Sequence, residues 1–295
     1  MAWIYLVIFA QFLNALVVLI DKHIVTSKTF IKPITYTFFV SVLSVPVVIL
    51  LPFGLISFPT FNILSISLSI GLSYVFSIFF LYKGLAKADA SDVVPVMGTL
   101  AAITSFVFGA LLLNEKLSED FVIAFVLLVL GTSLMSYFRF SRKVLFYSVA
   151  SGVLFGLSSV FIKLIFFETY FLNGFFWSRM GNVFGALLLI CWPSNLKTVM
   201  SGIRQSNSGT RWLVLGNKFL AGIAFLLIFL GIKLGDISLV NALNGAQFIF
   251  ILLFAFMFSG KFPNYLYENV HHKETVLQKI LALKFIIIGL AFLFL

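Results

Sequence analysis

Two stretches of the chain, residues 84–98 and 231–245, share one pattern of small and polar residues. The first reads GLAKADASDVVPVMG and the second reads GIKLGDISLVNALNG. Glycine, aspartate, serine, valine and glycine recur in the same order, each at an offset of 147 residues. Because this offset is half of the 295-residue length, the pattern indicates that the chain consists of two related halves.

The composition places both halves in a lipid bilayer. Hydrophobic residues make up 61% of the chain and charged residues 10%, whereas a soluble domain is nearer half apolar and a quarter charged. A spanning helix needs roughly 20 mostly apolar residues, so the chain has room for about ten and little else. This excludes a separate catalytic domain, a nucleic-acid-binding module and, with Cys191 the only cysteine, a disulfide scaffold.

Apolar runs that end in charged or turn residues predict ten membrane-spanning helices. They are Trp3–Ile20, Ile34–Ile56, Asn62–Tyr82, Ser91–Leu113, Phe121–Tyr137, Val144–Phe166, Phe171–Trp192, Trp212–Ile232, Ile237–Phe258 and Val276–Leu295. The longest connections are Pro193–Arg211 and Ser259–Thr275, and the second has the pattern of a short interfacial helix. A metal site at His271-His272, within that connection, would need further ligands nearby, so a solvated loop is favoured.

Lysine and arginine are distributed unevenly between alternating connections. One side has only Lys116, Lys163 and Lys233, and it includes both termini. The other side has 14 basic residues, namely Lys22, Lys28, Lys32, Lys83, Lys87, Arg139, Arg142, Lys143, Lys197, Arg204, Arg211, Lys261, Lys273 and Lys279. The positive-inside rule therefore predicts a cytoplasmic membrane location with both termini facing outward.

The predicted halves, residues 1–140 and 141–295, have five helices each. Because five is odd, the halves must enter the membrane from opposite sides. A weaker similarity pairs Asp21-Lys22, at the end of the first helix, with Ile162-Lys163 at the end of the sixth. Inverted repeats are typical of alternating-access carriers, so the pattern favours transport over a duplication with only a structural role.

With these features the chain resembles the drug/metabolite transporter superfamily, specifically its ten-helix EamA-like permeases, over essentially its whole length. The resemblance rests on Lys83–Asp92, on Pro95 and on Asn114–Ser118, which is similar to the family's Gly-Glu-Arg-Leu-Ser ending. The counterpart in the second half, Ser259–Phe262, lacks the glutamate. The resemblance implies an all-α polytopic membrane protein that exports a metabolite and is not an enzyme. Members of the family commonly have cytoplasmic termini, in contrast to the orientation that the basic residues predict.

The acidic residues are expected to lie outside the membrane interior. All ten fall at the ends of predicted spans or in connections: Asp21, Asp89, Asp92, Glu115, Glu119, Asp120, Glu168, Asp236, Glu268 and Glu274. A proton-coupled exporter of organic cations typically needs an embedded carboxylate, and an intramembrane hydrolase needs an acid, a histidine or a metal cluster. The pattern therefore disfavours both functions and predicts neither a cofactor nor a metal. Lys218 is expected to reach the cytoplasmic interface by snorkelling.

Neutral polar residues and one arginine lie within the predicted spans. We expect a substrate cavity lined by Gln11, Asn14, Tyr74, Thr99, Arg179, Asn182, Asn241, Asn244 and Gln247. The spacing of three between Asn241, Asn244 and Gln247 predicts one helical stripe. Each of these residues could instead bond only to a neighbouring helix, an interaction worth roughly 0.6 kcal/mol on average.

Arg179 is the deepest charge, nine residues into its predicted span. A charge at that depth costs roughly 2.5–3.5 kcal/mol on insertion scales, so it should face a polar cavity or a partner. The sequence leaves two readings open. One is a cavity-facing arginine that binds a substrate carboxylate, and the other is a structural arginine that bonds helix-end carbonyls or pairs with Glu168.

The sequence thus predicts a secondary transporter that exports a small polar metabolite, such as an amino acid, across the cytoplasmic membrane. Its expected partners are the solute and the bilayer, with no nucleic acid, and the chain is expected to be a monomer or a homodimer. One alternative is an exchanger of phosphorylated or nucleotide-linked sugars, which would need several embedded cations. Another is a membrane scaffold or receptor, which would need a large extramembrane surface.

Overall fold

The structure, a computed structural model, describes residues 2–26, 32–88, 90–135, 141–205, 208–258 and 273–293. These residues form helices joined by short turns, with no strand among them. The helices are α1 (Ala2–Thr26), α2 (Pro33–Val42), a 3-10 helix (Val45–Phe53), α3 (Phe61–Leu85), α4 (Ala90–Leu113), α5 (Glu119–Met135), α6 (Arg142–Glu168), α7 (Phe171–Ile190), α8 (Pro193–Gln205), α9 (Ser208–Leu234), α10 (Ile237–Ala242), α11 (Asn244–Phe258) and α12 (Lys273–Phe292). The prediction of an all-α polytopic membrane protein is confirmed.

Six of the predicted spans correspond to helices that are long and apolar enough to cross a membrane: Trp3–Thr26, Pro33–Phe53, Phe61–Leu85, Asp92–Leu113, Arg142–Glu168 and Ser208–Leu234. A seventh, Phe171–Ile190, passes the same test together with the helix that follows it, and the two are bent by 107°. The other three predicted spans contain the shorter apolar helices Phe121–Leu134, Ile237–Ile251 and Ile280–Phe292. For these three, crossing of the bilayer stays a prediction.

Two segments differ from their predicted form. The predicted second span is an α-helix that ends at Val42 and continues as the 3-10 helix, in which Pro46 and Pro52 supply no backbone N–H to an α-helical ladder. The predicted connection Pro193–Arg211 contains α8, which buries Val199 and exposes Leu196 and Met200. The predicted interfacial helix and His271-His272 lie outside the described residues.

Glycines bring the helices into close contact. A Cβ on Gly181 of α7 would overlap the Ser67 carbonyl of α3. A Cβ on Gly152 or Gly156 of α6 would lie 2.6 Å from the Met97 oxygen and 2.7 Å from the Ala101 oxygen of α4, respectively. These glycines therefore serve helix packing, as their small-residue spacing predicts.

Two lysines make matching contacts in the two predicted halves. Lys22 Nζ lies 2.8 Å from the Leu85 oxygen and 2.5 Å from the Ala88 oxygen, after the last turn of α3. Lys163 Nζ lies 2.7 Å from both the Ile232 and the Gly235 oxygens, at the end of α9. These acceptors differ by the same 147 positions as the sequence pattern, and each lysine satisfies carbonyls that a helix end leaves unpaired.

The turn after α4 explains the asparagine in the family-like ending. Asn114 has φ +53°, a left-handed conformation that glycine and asparagine tolerate, and the Glu115 N–H bonds the Gly109 oxygen 3.2 Å away. The turn directs the Glu115 carboxylate to the Ile237 N–H at 3.2 Å and to Lys163 at 3.4 Å. Burial raises the pKa of Glu115 above its ordinary value, and the Lys163 ammonium opposes that rise. Lys163 is thus a buried residue of α6 and not, as the charge count assumed, part of a connection.

Candidate functional site

Two adjoining cavities lie between the helices. The amide cavity, about 100 Å³, is lined by residues that include Asn14 and Asp21 of α1 and Asn244 and Gln247 of α11. The arginine cavity, about 360 Å³, is lined by Arg179 of α7 and by mostly apolar side chains of α2, the 3-10 helix, α7 and α9. Both cavities share the wall residues Val40, Tyr74, Lys218, Ala221 and Phe225.

Asp21 is the centre of a buried hydrogen-bond cluster at the amide cavity. Its Oδ1 accepts from Lys218 Nζ at 2.6 Å, from Asn217 Nδ2 at 2.6 Å and from the Tyr36 hydroxyl. Its Oδ2 accepts from the Tyr82 hydroxyl at 3.3 Å. The side chains of Lys218 and Asp21 are only 7% and 5% exposed, so this ion pair is enclosed by protein.

The cluster corrects two predictions. Asp21 is an embedded carboxylate, because α1 continues to Thr26 and does not end at Ile20. Lys218 does not snorkel to the interface, because its ammonium group is bound to Asp21. The run Asp21-Lys22-His23 has the appearance of a helix end in sequence, and only the three-dimensional contact with α9 reveals a buried acid.

Arg179 lies in a cage of aromatic rings. Its guanidinium carbon is 4.6 Å from the ring centroid of Phe229, 5.3 Å from that of Phe225, 5.5 Å from that of Phe175 and 5.9 Å from that of Tyr74. Such cation–π contacts replace part of the lost hydration of a buried cation. They do not replace an anion.

No ion pair of Arg179 occurs among the described residues, and its buried Nε has no hydrogen-bond acceptor there. Glu168, the proposed structural partner, is exposed at the end of α6. The guanidinium group therefore lines a cavity with hydrogen-bonding capacity that the described residues leave unused.

The other predicted site residues fall into three groups. Asn14, Tyr74, Asn244 and Gln247 line the amide cavity, and Tyr74 also lines the arginine cavity. Gln11 lies behind that wall, where its Nε2 donates to Asn244 Oδ1 at 2.8 Å. The remaining three, Thr99, Asn182 and Asn241, are buried but are not among the lining residues of either cavity.

The predicted stripe of three amides is divided by a break in the helix. α10 ends at Ala242, α11 begins at Asn244, and Leu243 forms the turn between them. Asn241 accepts from the Ser159 hydroxyl at 3.3 Å, whereas Gln247 Nε2 donates to the Asn14 carbonyl at 3.2 Å. Only the α11 members of the stripe therefore face the cavity.

The fold and its long apolar helices define an α-helical polytopic membrane protein. Residues 1–137 match the model of the EamA-like transporter family, the family that the sequence resembles. No curated protein sequence matches the chain.

Solved structures support the same fold over the whole length. The chain is similar to a crystal structure whose description reads "Crystal structure of protein", with 18% sequence identity and a TM-score of 0.61. The similarity covers 99% of this chain and 94% of that one. At this identity it shows the fold alone.

Proposed function

We propose that the chain is a secondary transporter that exports a small polar metabolite bearing a carboxylate, such as an amino acid, across the cytoplasmic membrane. Arg179 binds the carboxylate, and the amides of the amide cavity bind the other polar groups of the solute. The family assignment of residues 1–137 supports a drug/metabolite type of carrier rather than an enzyme.

The observation that carries the proposal is the guanidinium of Arg179, which has no ion pair among the described residues and whose buried Nε has no hydrogen-bond acceptor there. Burial of a cation in a membrane protein is costly, and such charges usually pair with an anion or serve a substrate pathway. Here the described protein supplies aromatic rings and no carboxylate, in the wall of the larger cavity. A solute carboxylate would complete the site through two parallel hydrogen bonds to the planar guanidinium fork.

Alternating access by two inverted halves, residues 1–140 and 141–295, is part of the proposal. The matching contacts of Lys22 and Lys163, at acceptors 147 positions apart, support a structural repeat. A Cβ on Gly98 of α4 would lie 3.4 Å from Asn244 Cβ, so the two repeat stretches meet beside the amide cavity. Movement of one half against the other would therefore reshape the site itself.

The rival functions fit the charges less well. An exchanger of phosphorylated sugars would need several free cations at once, whereas in this structure Arg179 is the one cation lining the arginine cavity that has no ion pair among the described residues. An organic-cation antiporter would need a free carboxylate, but Asp21 accepts from four donors, one of them cationic. Both arrangements favour a solute with one carboxylate.

Counterflow in proteoliposomes tests the function directly. The solutes are leucine, phenylalanine, glucose 6-phosphate, a nucleotide-linked glucose and tetraethylammonium, and only the amino acids are expected to exchange. Exchange of the phosphorylated solutes alone would support the sugar-exchanger alternative. Exchange of none of these solutes would overturn the carrier proposal.

Substitutions of Arg179 test the site. Arg179→Lys retains the charge but loses the planar fork, so we expect a loss of about tenfold or more in exchange rate, corresponding to about 1.4 kcal/mol. Arg179→Gln is expected to reduce exchange to background, whereas Arg142→Gln, at an exposed arginine, should retain it. Full exchange by Arg179→Gln would remove Arg179 from the site.

A further inference from the structure

The ion pair between Asp21 and Lys218 occupies an unusual position for a purely structural contact. Asp21 lines the amide cavity, whereas Lys218 lines both cavities and so shares a cavity with Arg179. The other three donors to Asp21 do not line both cavities. Tyr82 lines only the amide cavity, and Tyr36 and Asn217 are not among the lining residues of either cavity.

We propose that Asp21 is the proton-binding group of the carrier, and that its protonation transfers Lys218 from Asp21 to the carboxylate of the solute. The inference rests on the proposed function and adds a coupling ion and a second cation to the same site. In the state described here, Lys218 is held by Asp21. In the loaded state, Arg179 and Lys218 would both bind the solute carboxylate from the wall of the arginine cavity.

The hydrogen bonds of Asp21 explain why a proton would release the lysine. An ionised carboxylate only accepts hydrogen bonds, and Oδ1 of Asp21 already accepts three. A proton on this carboxyl group removes its charge and turns one acceptor position into a donor. Lys218 loses most by this change because it is the cationic donor, and its flexible stem allows it to seek another anion.

Among the described residues that line the two cavities, Asp21 is the one carboxylate. Tyr36 of α2 and Tyr82 of α3 contact Asp21, and Tyr74 of α3 lies farther along the cavity wall. On α1, Lys22 follows Asp21 and its ammonium is bonded to carbonyls at the end of α3, with His23 next in sequence. The lining residues of the arginine cavity include two cations, Arg179 and Lys218, and no carboxylate.

Proton and solute binding would therefore be linked. A lysine ammonium released inside the protein needs an anion, and a solute carboxylate supplies it; by reciprocity, bound solute favours the protonated form of Asp21. The proton would reach Asp21 through the amide cavity that this residue lines, stay on the carboxyl while the solute is bound, and leave when Lys218 returns. One proton thus moves in the same direction as one solute, and a high internal solute concentration would carry protons outward with it.

Two measurements on the full-length carrier test this inference. In lightly buffered proteoliposomes, acidification of the external medium should drive accumulation of leucine inside the vesicles, up to about tenfold per pH unit when one proton is fully coupled to one solute. Leucine added without a pH gradient should in turn draw protons into the vesicles. Asp21→Asn should lose both responses, and any leucine exchange that remains should not depend on pH.

Infrared difference spectroscopy provides a readout that needs no solute. Acidification of the purified protein should produce the band of a protonated carboxyl group that Asp21→Asn lacks and that Glu168→Gln, at an exposed acid, retains. Leucine exchange by the wild type without any response to external acidification would overturn the coupling and leave the transport proposal intact. If Asp21→Asn fails to fold, the wild type alone decides: absence of any protonated-carboxyl band over the pH range of transport would overturn the coupling. If the wild type exchanges no solute, the transport proposal itself fails.

Discussion

The two cations of the arginine cavity, Lys218 and Arg179, are stabilised in the protein interior by different kinds of contact. Lys218 is 2.6 Å from a carboxylate that three further donors hold in place. Arg179 is surrounded by four aromatic rings and has no ion pair among the described residues. The comparison separates a cation whose counter-charge is supplied by the protein from a cation that has no counter-charge among the described residues.

The largest expected effect is on Lys218. Lys218→Met leaves Asp21 as a buried carboxylate without its counter-charge, and breaking such a pair costs about 3–5 kcal/mol. We expect a large decrease in the thermal unfolding temperature of the detergent-solubilised protein. Lys284→Met, at an exposed lysine of α12, should change that temperature little.

A double substitution sharpens this prediction. In Asp21→Asn combined with Lys218→Met, no unpaired charge remains, so most of the lost stability should return. A double variant as unstable as Lys218→Met would show that packing around the lysine stem, and not the charge on Asp21, determines the loss.

The sequence predicts the fold well but the ion pair poorly, and the reason is physical. Apolar runs and turn residues determine where helices lie, because each run must match the bilayer on its own. The partner of Asp21 is on α9, 197 positions away, and no local pattern specifies that contact. Arg179 was identifiable because its depth in an apolar run is a local property.

The same distinction, between local sequence properties and contacts of distant positions, applies to the polar residues that the sequence assigns to the cavity. Asn14 and Tyr74 line the amide cavity, and their contact with a substrate stays a prediction. Asn182 and Asn241 have the same residue type as Asn14 and are buried, but neither is among the lining residues of the two cavities. Which buried side chains face a cavity depends on how the helices rotate against each other. The spacing of Asn241, Asn244 and Gln247 likewise does not predict the break between α10 and α11 at Leu243.

The next effect, of intermediate size, is the change in unfolding temperature expected at two buried asparagines. Asn217 donates to Asp21 at 2.6 Å, whereas both side-chain polar atoms of Asn182 lack a partner among the described residues. Hydrogen bonds to charged groups contribute about 1.5–3 kcal/mol, so Asn217→Leu should lower the unfolding temperature clearly. Asn182→Leu removes unsatisfied polar atoms at similar volume and should leave that temperature unchanged or raise it.

Other outcomes for Asn217→Leu and Asn182→Leu would contradict this prediction, and each has a different meaning. An equal decrease for both would mean that the volume of the side chain, and not its hydrogen bonds, determines stability at these positions. A decrease for Asn182→Leu alone would point to a partner that binds Asn182, and leucine-dependent protection of the wild type against unfolding would identify that partner as solute.

The smallest expected effect on stability is that of Arg179→Met, which also separates the two cations most sharply. Its cost is the loss of the cation–π contacts, about 0.5–2 kcal/mol in total for such sites, and its gain is relief from burying a charge that has no anion. We expect these terms to cancel to within about 1 kcal/mol, so the unfolding temperature should stay near that of the wild type while leucine exchange is lost. Arg179 would then act on the solute and not on the fold. A decrease as large as that of Lys218→Met would instead place Arg179 among the structural charges, and a stable, fully active variant would leave the aromatic cage without a function in transport.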